Sequence, residues 1–213
     1  MMYLISALII LLAYFWGSAS TARIVAKSFR SLNIYKVGTG LADSENIYRN
    51  VSKVLGLLVG TVDILKSYGF LLGVRIFLFY MDKWTFTSYE PIYRDTMIMI
   101  YGMFMLIGHC MPVTHGFRGG RGIFTYMGFI AFFSFYPMLF TAVLAWFIVA
   151  IYKQIRFAQY LVVLLPVLLS QILYSYIPYF KRELSPHFLT MMFASIVLMI
   201  ILNLIVSKRL GEI

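Results

Sequence analysis

The residues best suited to chemistry lie between Gly108 and Gly128, in the run GHCMPVTHGFRGGRGIFTYMG that separates two long apolar stretches. Gly119, Gly120 and Gly122 are interleaved with Arg118 and Arg121. A backbone without Cβ atoms can turn its N–H groups toward an anion while two guanidiniums neutralise it, which is the logic of a phosphate site. His109 lies just before Pro112, where an imidazole can orient a substrate oxygen or act as a base. Plainer readings fit the same residues: GFRGGRG as a flexible basic loop whose arginines set topology, and His109 as a structural hydrogen-bonder at a helix end.

Two further groupings carry charge where charge is costly. Asp63 and Lys66 interrupt the apolar run from Val54 to Tyr80 and, three residues apart on a helix, share one face and can pair. A charge inside a span costs about 2.5–3.5 kcal/mol on insertion scales, so the pair is expected to line a cavity or interface, with a structural ion pair near a tilted helix end as the alternative. The segment from Lys36 to Asn46, KVGTGLADSEN, combines Gly38 and Gly40 with the hydroxyl of Thr39 and the carboxylates of Asp43 and Glu45. Cys110 is the sole cysteine, which excludes an internal disulfide, and His109, His115 and His187 fall at no metal-ligand spacing, so neither metal nor cofactor is expected.

The elements that must position these groups are membrane helices. Of the 213 residues, 62% are hydrophobic and 12% charged, far from the balance of a soluble domain. The net charge of +10 lies largely in loops beside apolar runs, which argues for anionic membrane lipids as neighbours and against nucleic acid. The apolar runs predict spans over Tyr3–Ser20, Val54–Tyr80, Thr96–Ile107, Phe157–Tyr179 and His187–Val206. The basic residues begin only at Arg23, after the first run, so that run reads as a retained span with its N-terminus outside rather than as a signal peptide. The run from Ile123 to Tyr152 is too long for one span at about 1.5 Å per residue, and Pro137 places a break near Ser134–Pro137. With that hairpin, twelve basic residues fall on the inner side, including Arg23, Lys27, Arg49, Arg118, Arg156 and Arg209, against five outside. The expectation is an all-α polytopic membrane protein of about seven transmembrane helices, several short, forming a single domain over residues 1–213 with its motif loops on the cytoplasmic side.

Gly108-His109, Pro112, Phe117, Gly119, Gly120, Gly122 and Thr125 together resemble the glycine-rich motif of the bacterial membrane acyl-phosphate:glycerol-3-phosphate acyltransferases, with Arg118 and Arg121 where that family usually has Lys. Lys36 to Asn46 is similar to the family's first motif, K-x-G-S-G-N-x-G-A-T-N. Lys36, Gly38, Gly40 and Asn46 are retained and Thr39 stands for Ser, while Leu41 replaces Asn, Asp43 replaces Gly, Ser44 replaces Ala and Glu45 replaces Thr. Asp63-Ile64-Leu65-Lys66 resembles its D-x-x-K. At the C-terminus Lys208-Arg209-Leu210 and Gly211-Glu212 match, with Asn203 and Val206 at the positions of a His and an Asn, and Gln159 near that of a Ser.

The resemblance implies transfer of a fatty acyl group from acyl phosphate to the 1-hydroxyl of glycerol 3-phosphate, giving lysophosphatidic acid in the bacterial inner membrane, without a cofactor. It implies substrate and phosphate binding by Lys36, Gly38, Gly40, Asn46, Lys66, Arg118, Gly119, Gly120, Arg121 and Gly122, and catalytic roles for His109 and for Thr39 as a hydrogen-bond donor. The chain has neither a G-x-S-x-G elbow nor an H-x-x-x-x-D, in keeping with transfer that needs no covalent intermediate. Asp43 and Glu45 oppose a phosphate site, and Lys36 and Arg49 are expected to hold them off it. The alternative is an altered paralogue that binds another phosphorylated or lipid ligand; a small transporter is disfavoured because no repeat symmetry is evident.

Overall fold

Apolar runs of this length satisfy their backbone inside a bilayer only as helices or closed barrels, and here they are helices. The computed structural model describes residues 2–85, 88–180 and 185–212. Its helices, in order, are α1 (Met2–Ser18), α2 (Thr21–Arg30), α3 (Ser44–Asn50), α4 (Lys53–Trp84), α5 (Glu90–Tyr93), α6 (Asp95–Cys110), α7 (Ile123–Phe133), α8 (Phe135–Tyr152), α9 (Ile155–Tyr176) and α10 (Phe188–Arg209). Among the described residues six stretches are long and apolar enough to cross a membrane: α1 with α2, α4, α6 with the turn after it, α8, α9 and α10. The seventh, α7, has 11 residues and so reaches only about half of the hydrocarbon thickness. The chain is an all-helical multi-pass membrane protein, and the expected break in the long apolar run falls at Ser134, between α7 and α8.

The polar stretch expected to be a loop from Thr21 to Lys53 is more ordered than its composition suggests. Ser20 caps α2, its side chain accepting from the Arg23 amide at 3.2 Å, and α2 turns Ala22, Val25 and Ala26 inward while Lys27 and Arg30 stay exposed. With Ile34, Ala42, Ile47 and Val59 these residues form a small second core beneath the first-motif loop. The amphipathic period of α2 is short enough to be hidden by its basic residues in a composition reading.

Helix contacts are set where side chains are smallest. A Cβ on Gly17 would lie 2.0 Å from the Met105 carbonyl oxygen, and one on Gly108 would lie 2.0 Å from that of Tyr14, so α1 and α6 touch backbone to backbone. A Cβ on Gly128 would lie 2.2 Å from the Ile64 carbonyl oxygen, which brings α7 onto α4 beside Asp63 and Lys66. The Tyr14 hydroxyl completes the α1–α6 joint, donating to the Met111 carbonyl at 2.7 Å and accepting from the Val113 amide at 2.9 Å.

Because a carbonyl on a neighbouring helix cannot swing aside, Gly108→Ala is expected to cost about 3 kcal/mol, the upper part of the usual overpacking range, and to lower the melting temperature by roughly 6–12 °C. A thermal melt in detergent measures it, and an unchanged melting temperature would mean that α1 and α6 are not in backbone contact.

Candidate active site

Residues of α3, α4, α6, α7 and α9 meet around one crevice. There the glycine-rich loop folds back onto the last turn of α6. The Gly120 amide donates to the His109 carbonyl at 3.4 Å, and a Cβ on Gly119 would lie 2.1 Å from that same oxygen. Gly122 has φ +78°, a left-handed conformation that suits glycine, and leads into α7. From the other side comes the first-motif loop, whose Ala42 amide donates to the Gly119 carbonyl at 3.3 Å. A Cβ on Gly120 would meet the Asp43 Cβ at 2.7 Å, the Ala42 oxygen at 3.0 Å and His109 Nε2 at 3.2 Å. The space freed by that glycine is therefore filled by the protein itself.

Asn46 organises the first-motif loop. It is fully buried, donates from Nδ2 to the Val37 and Leu41 carbonyls at 3.0 and 2.8 Å, and accepts at Oδ1 from the Thr39 amide at 3.2 Å and from Asn50 at 2.9 Å. Gly38 and Gly40, with φ +54° and +72°, make the turns that wrap the loop around it. Lys36, Gly38 and Thr39 are exposed on its outer side, as Arg118 is on the glycine-rich loop.

Between the loops lies a narrow crevice of about 20 Å³ whose walls include Asp43, Glu45, Asp63, His109, Arg121 and Gln159. Asp63 is buried, accepts from the Thr21 hydroxyl at 2.8 Å and pairs with Lys66 at 3.1 Å. The Lys66 ammonium also donates to the Ala19 carbonyl at 2.9 Å, so it sits behind the crevice wall and not on its lining. His109 is buried with its Nδ1 unpartnered, and at the start of α7 the fully buried Thr125 hydroxyl is also unpartnered. Of the two, His109 lines the crevice, and its orphaned nitrogen is what a substrate or ordered water would satisfy.

Arg121 does not turn its guanidinium to the crevice mouth beside Arg118. Only 5% exposed, it receives the Glu212 carboxylate in a two-pronged pair at 2.7 and 2.9 Å and donates to Ser207 at 3.2 Å. Arg156 reaches the same carboxylate at 2.8 Å, Asn203 donates to the Arg121 carbonyl at 3.3 Å, and the Arg209 guanidinium donates to the Phe117 carbonyl. Burial alone would raise the Glu212 carboxyl, but the Arg121 and Ser207 hydrogen bonds with the Arg121 and Arg156 charges hold it below its usual range. This clamp ties the glycine-rich loop to the C-terminus. Its sequence signal was the matching Gly211-Glu212, which says nothing by itself of a partner 91 residues away.

The two acids of the first motif are held differently from expectation. Glu45 pairs with Arg49 at 3.0 Å, as expected, and its other oxygen accepts from Gln159 at 2.8 Å. Asp43 is not held by Lys36. Its carboxylate caps α3, accepting from the Asn46 amide at 2.9 Å, and the Arg121 amide of the glycine-rich loop also bonds to it. The backbone donor expected to meet a substrate anion is thus met by a carboxylate of the chain. Burial pushes the Asp43 carboxyl up to about 6, with the Glu45 charge adding to it and the Asn46 and Arg121 bonds only partly offsetting it.

The glycerol-3-phosphate acyltransferase family model matches residues 7–209. The chain belongs to that family. A glycerol-3-phosphate acyltransferase of Mycoplasma mycoides subsp. mycoides is 30% identical over 187 residues, covering 86% of this chain and 68% of the relative. One of Mycoplasma mobile is 32% identical over 124 residues, covering 58% of this chain and about half, 48%, of the relative. The crystal structure of PlsY (YgiH), an integral membrane glycerol 3-phosphate acyltransferase, in its glycerol 3-phosphate form, shares the fold with a TM-score of 0.72 at 22% identity, covering 97% of this chain and 92% of that one.

Asp43 leaves a thermodynamic signature. Its folded pKa of about 6 lies above the ordinary 3.8, so the native state favours the protonated form. Stability tied to that proton is full below about pH 4 and is lost as pH rises through about 6, by about 3 kcal/mol for a shift of about two units. Asn caps a helix as well as Asp. In detergent melts across pH 4–8, Asp43→Asn is expected to match wild type at the acid end and to be the more stable above pH 6; parallel curves would place Asp43 in solvent.

Proposed function

We propose that the protein transfers a fatty acyl group from an acyl phosphate to the 1-hydroxyl of glycerol 3-phosphate, forming lysophosphatidic acid and releasing phosphate. The observation that carries this reading is the convergence of the family's glycine-rich loop, first-motif loop and D-x-x-K pair on one crevice at one end of the bundle. An acyl phosphate is a mixed anhydride with a good leaving group, so the reaction needs positioning and charge stabilisation more than a covalent nucleophile.

In this reading the amides at the start of α7, beginning with Gly122, hold a phosphate, helped by the α7 dipole. Exposed Lys36 and Arg118 supply a positive rim, and Lys66, turned to Asp63, fixes the wall of the crevice and adds charge behind it. His109, with its orphaned Nδ1, orients a reacting oxygen, and Thr39 donates a hydrogen bond at the rim. The acyl chain lies among the apolar helices. The whole chain acts as one acyltransferase domain of the bacterial inner membrane with its motif loops cytoplasmic, in keeping with basic residues that gather at the motif end.

One observation favours a second reading, a paralogue for another phosphorylated or lipid ligand: Asp43 and Glu45 line the crevice, and Glu212 neutralises Arg121. Phosphate release from palmitoyl phosphate by the purified protein separates the two. Release that requires glycerol 3-phosphate is expected, and release indifferent to it would exclude the acyltransferase. Removing the hydrogen bond that His109 gives the reacting oxygen in this reading, His109→Ala is expected to lower kcat/KM roughly 10- to 100-fold, equivalent to about 1.5–3 kcal/mol. Unchanged kinetics beside a lowered melting temperature would make His109 structural.

A further inference from the structure

We infer that α2 is a docking site for anionic phospholipid headgroups: its basic stripe takes lipid phosphates, its exposed apolar side chains enter the headgroup layer, and the bound lipid steadies the first-motif loop. This goes beyond the acyltransferase reading and does not depend on it.

Depth and composition together place α2 in the headgroup layer. The 17 residues of α1 cover about 26 Å, most of a hydrocarbon core of about 30 Å, and α2 starts just beyond them with its own cap at Ser20. Ala22, Val25 and Ala26 turn to the second core, while Ile24 and Phe29 are 54% and 63% exposed and Leu32, just past the helix, is exposed as well. Lys27 and Arg30 are also exposed. Water around α2 would leave the large apolar side chains wetted, and hydrocarbon around it would strand two cations. The headgroup layer suits both, with apolar side chains at its acyl boundary and cations among its phosphates.

Charge selects an anionic lipid over a neutral one. Arg23, Lys27 and Arg30 recur at intervals of four and three residues, which puts them on one stripe of the helix, and Lys36 follows. No acid lies between Thr21 and Ala42. The acids around the crevice are already committed: Glu45 to Arg49, Asp63 to Lys66, Glu212 to Arg121 and Arg156, and Asp43 to the cap of α3. Among the described residues none of the four bases from Arg23 to Lys36 forms an ion pair. The Arg23 charge acts on Tyr35 and on His115, whose rings lie 6.4 Å apart, so the basic face continues toward the glycine-rich loop. Each such residue near an anionic surface strengthens binding about fivefold.

Two contacts carry the effect inward. Thr21, the first residue of α2, donates to the Asp63 carboxylate at 2.8 Å, and Asp63 lines the crevice. The inner face of α2 shares its small core with Ile34, Ala42 and Ile47, the apolar residues within and beside the first-motif loop. A lipid that fixes α2 in the headgroup layer therefore restrains the crevice wall and the loop together.

The test is hydrogen exchange, read by mass spectrometry, of the full chain in nanodiscs of phosphatidylcholine alone or of phosphatidylcholine mixed with phosphatidylglycerol. Phosphatidylglycerol is expected to slow exchange of residues 21–32 about fivefold or more, and that of 38–46 with it. Lys27→Gln/Arg30→Gln is expected to lose the effect, and Lys27→Arg/Arg30→Lys, which keeps both charges, to retain it. Both side chains are exposed, so the two variants are expected to melt with wild type in detergent. Equal exchange in the two bilayers, protection that stops at 21–32, or a neutralised variant that responds as wild type does would overturn the inference. So would inorganic phosphate giving the same protection in phosphatidylcholine alone, which would make the stripe a site for a soluble anion. Each of these results leaves the acyltransferase reading as it stands.

Discussion

The structure depends on a backbone-to-backbone approach that only glycine permits. At Gly119 and Gly120 the glycine-rich loop lies against the end of α6 on one side and the first-motif loop on the other, with a Cβ at Gly120 excluded by Asp43, Ala42 and His109 at once. The same device operates one level up, at Gly17 and Gly108 between α1 and α6 and at Gly128 between α4 and α7. In a bilayer, where apolar surface gains nothing by leaving lipid for protein, such contact maximises dispersion and lets the helices cross at fixed points. Those crossings put His109 and the Asp63–Lys66 pair at the same depth as the loop.

Charge is the second constraint, and it is resolved almost entirely by local pairing. Lys66 is turned to Asp63, Arg49 to Glu45, and Arg121 and Arg156 to Glu212. For the buried Asp63, Lys66 and Arg121 the pairing offsets part of the cost of burial, and that of Arg121 fastens the glycine-rich loop to the last residues of α10 and beyond. The positive field that reaches the crevice is therefore carried by backbone amides and by exposed basic residues at its rim. This distribution explains how a site for an anion tolerates carboxylates on its walls: most are already neutralised, and Asp43 is capped by amides.

Much of this was legible in the sequence where local pattern decides structure. The spans followed from apolar length, the break at Ser134 from a run too long for one crossing with Pro137 just beyond it, and the Asp63–Lys66 pair from helical spacing. Helix α2 was not read, because its apolar face is only a few residues long and its basic residues dominate the composition. The role of Arg121 was not legible either: a guanidinium beside glycines reads as an anion ligand, and its true partner lies at the other end of the chain. Likewise the resemblance implies substrate contacts for Asn46 and Gly120, whereas the fold shows what each does for the loops themselves, which spacing along the chain does not encode.

The central claim is that the two loops form one binding site, and hydrogen exchange read by mass spectrometry with and without glycerol 3-phosphate tests it most directly. The account predicts that ligand slows exchange of amides in both 38–46 and 118–125 together, with the segment 88–95 between α4 and α6 unaffected. Protection confined to one loop, or appearing only in 88–95, would contradict it.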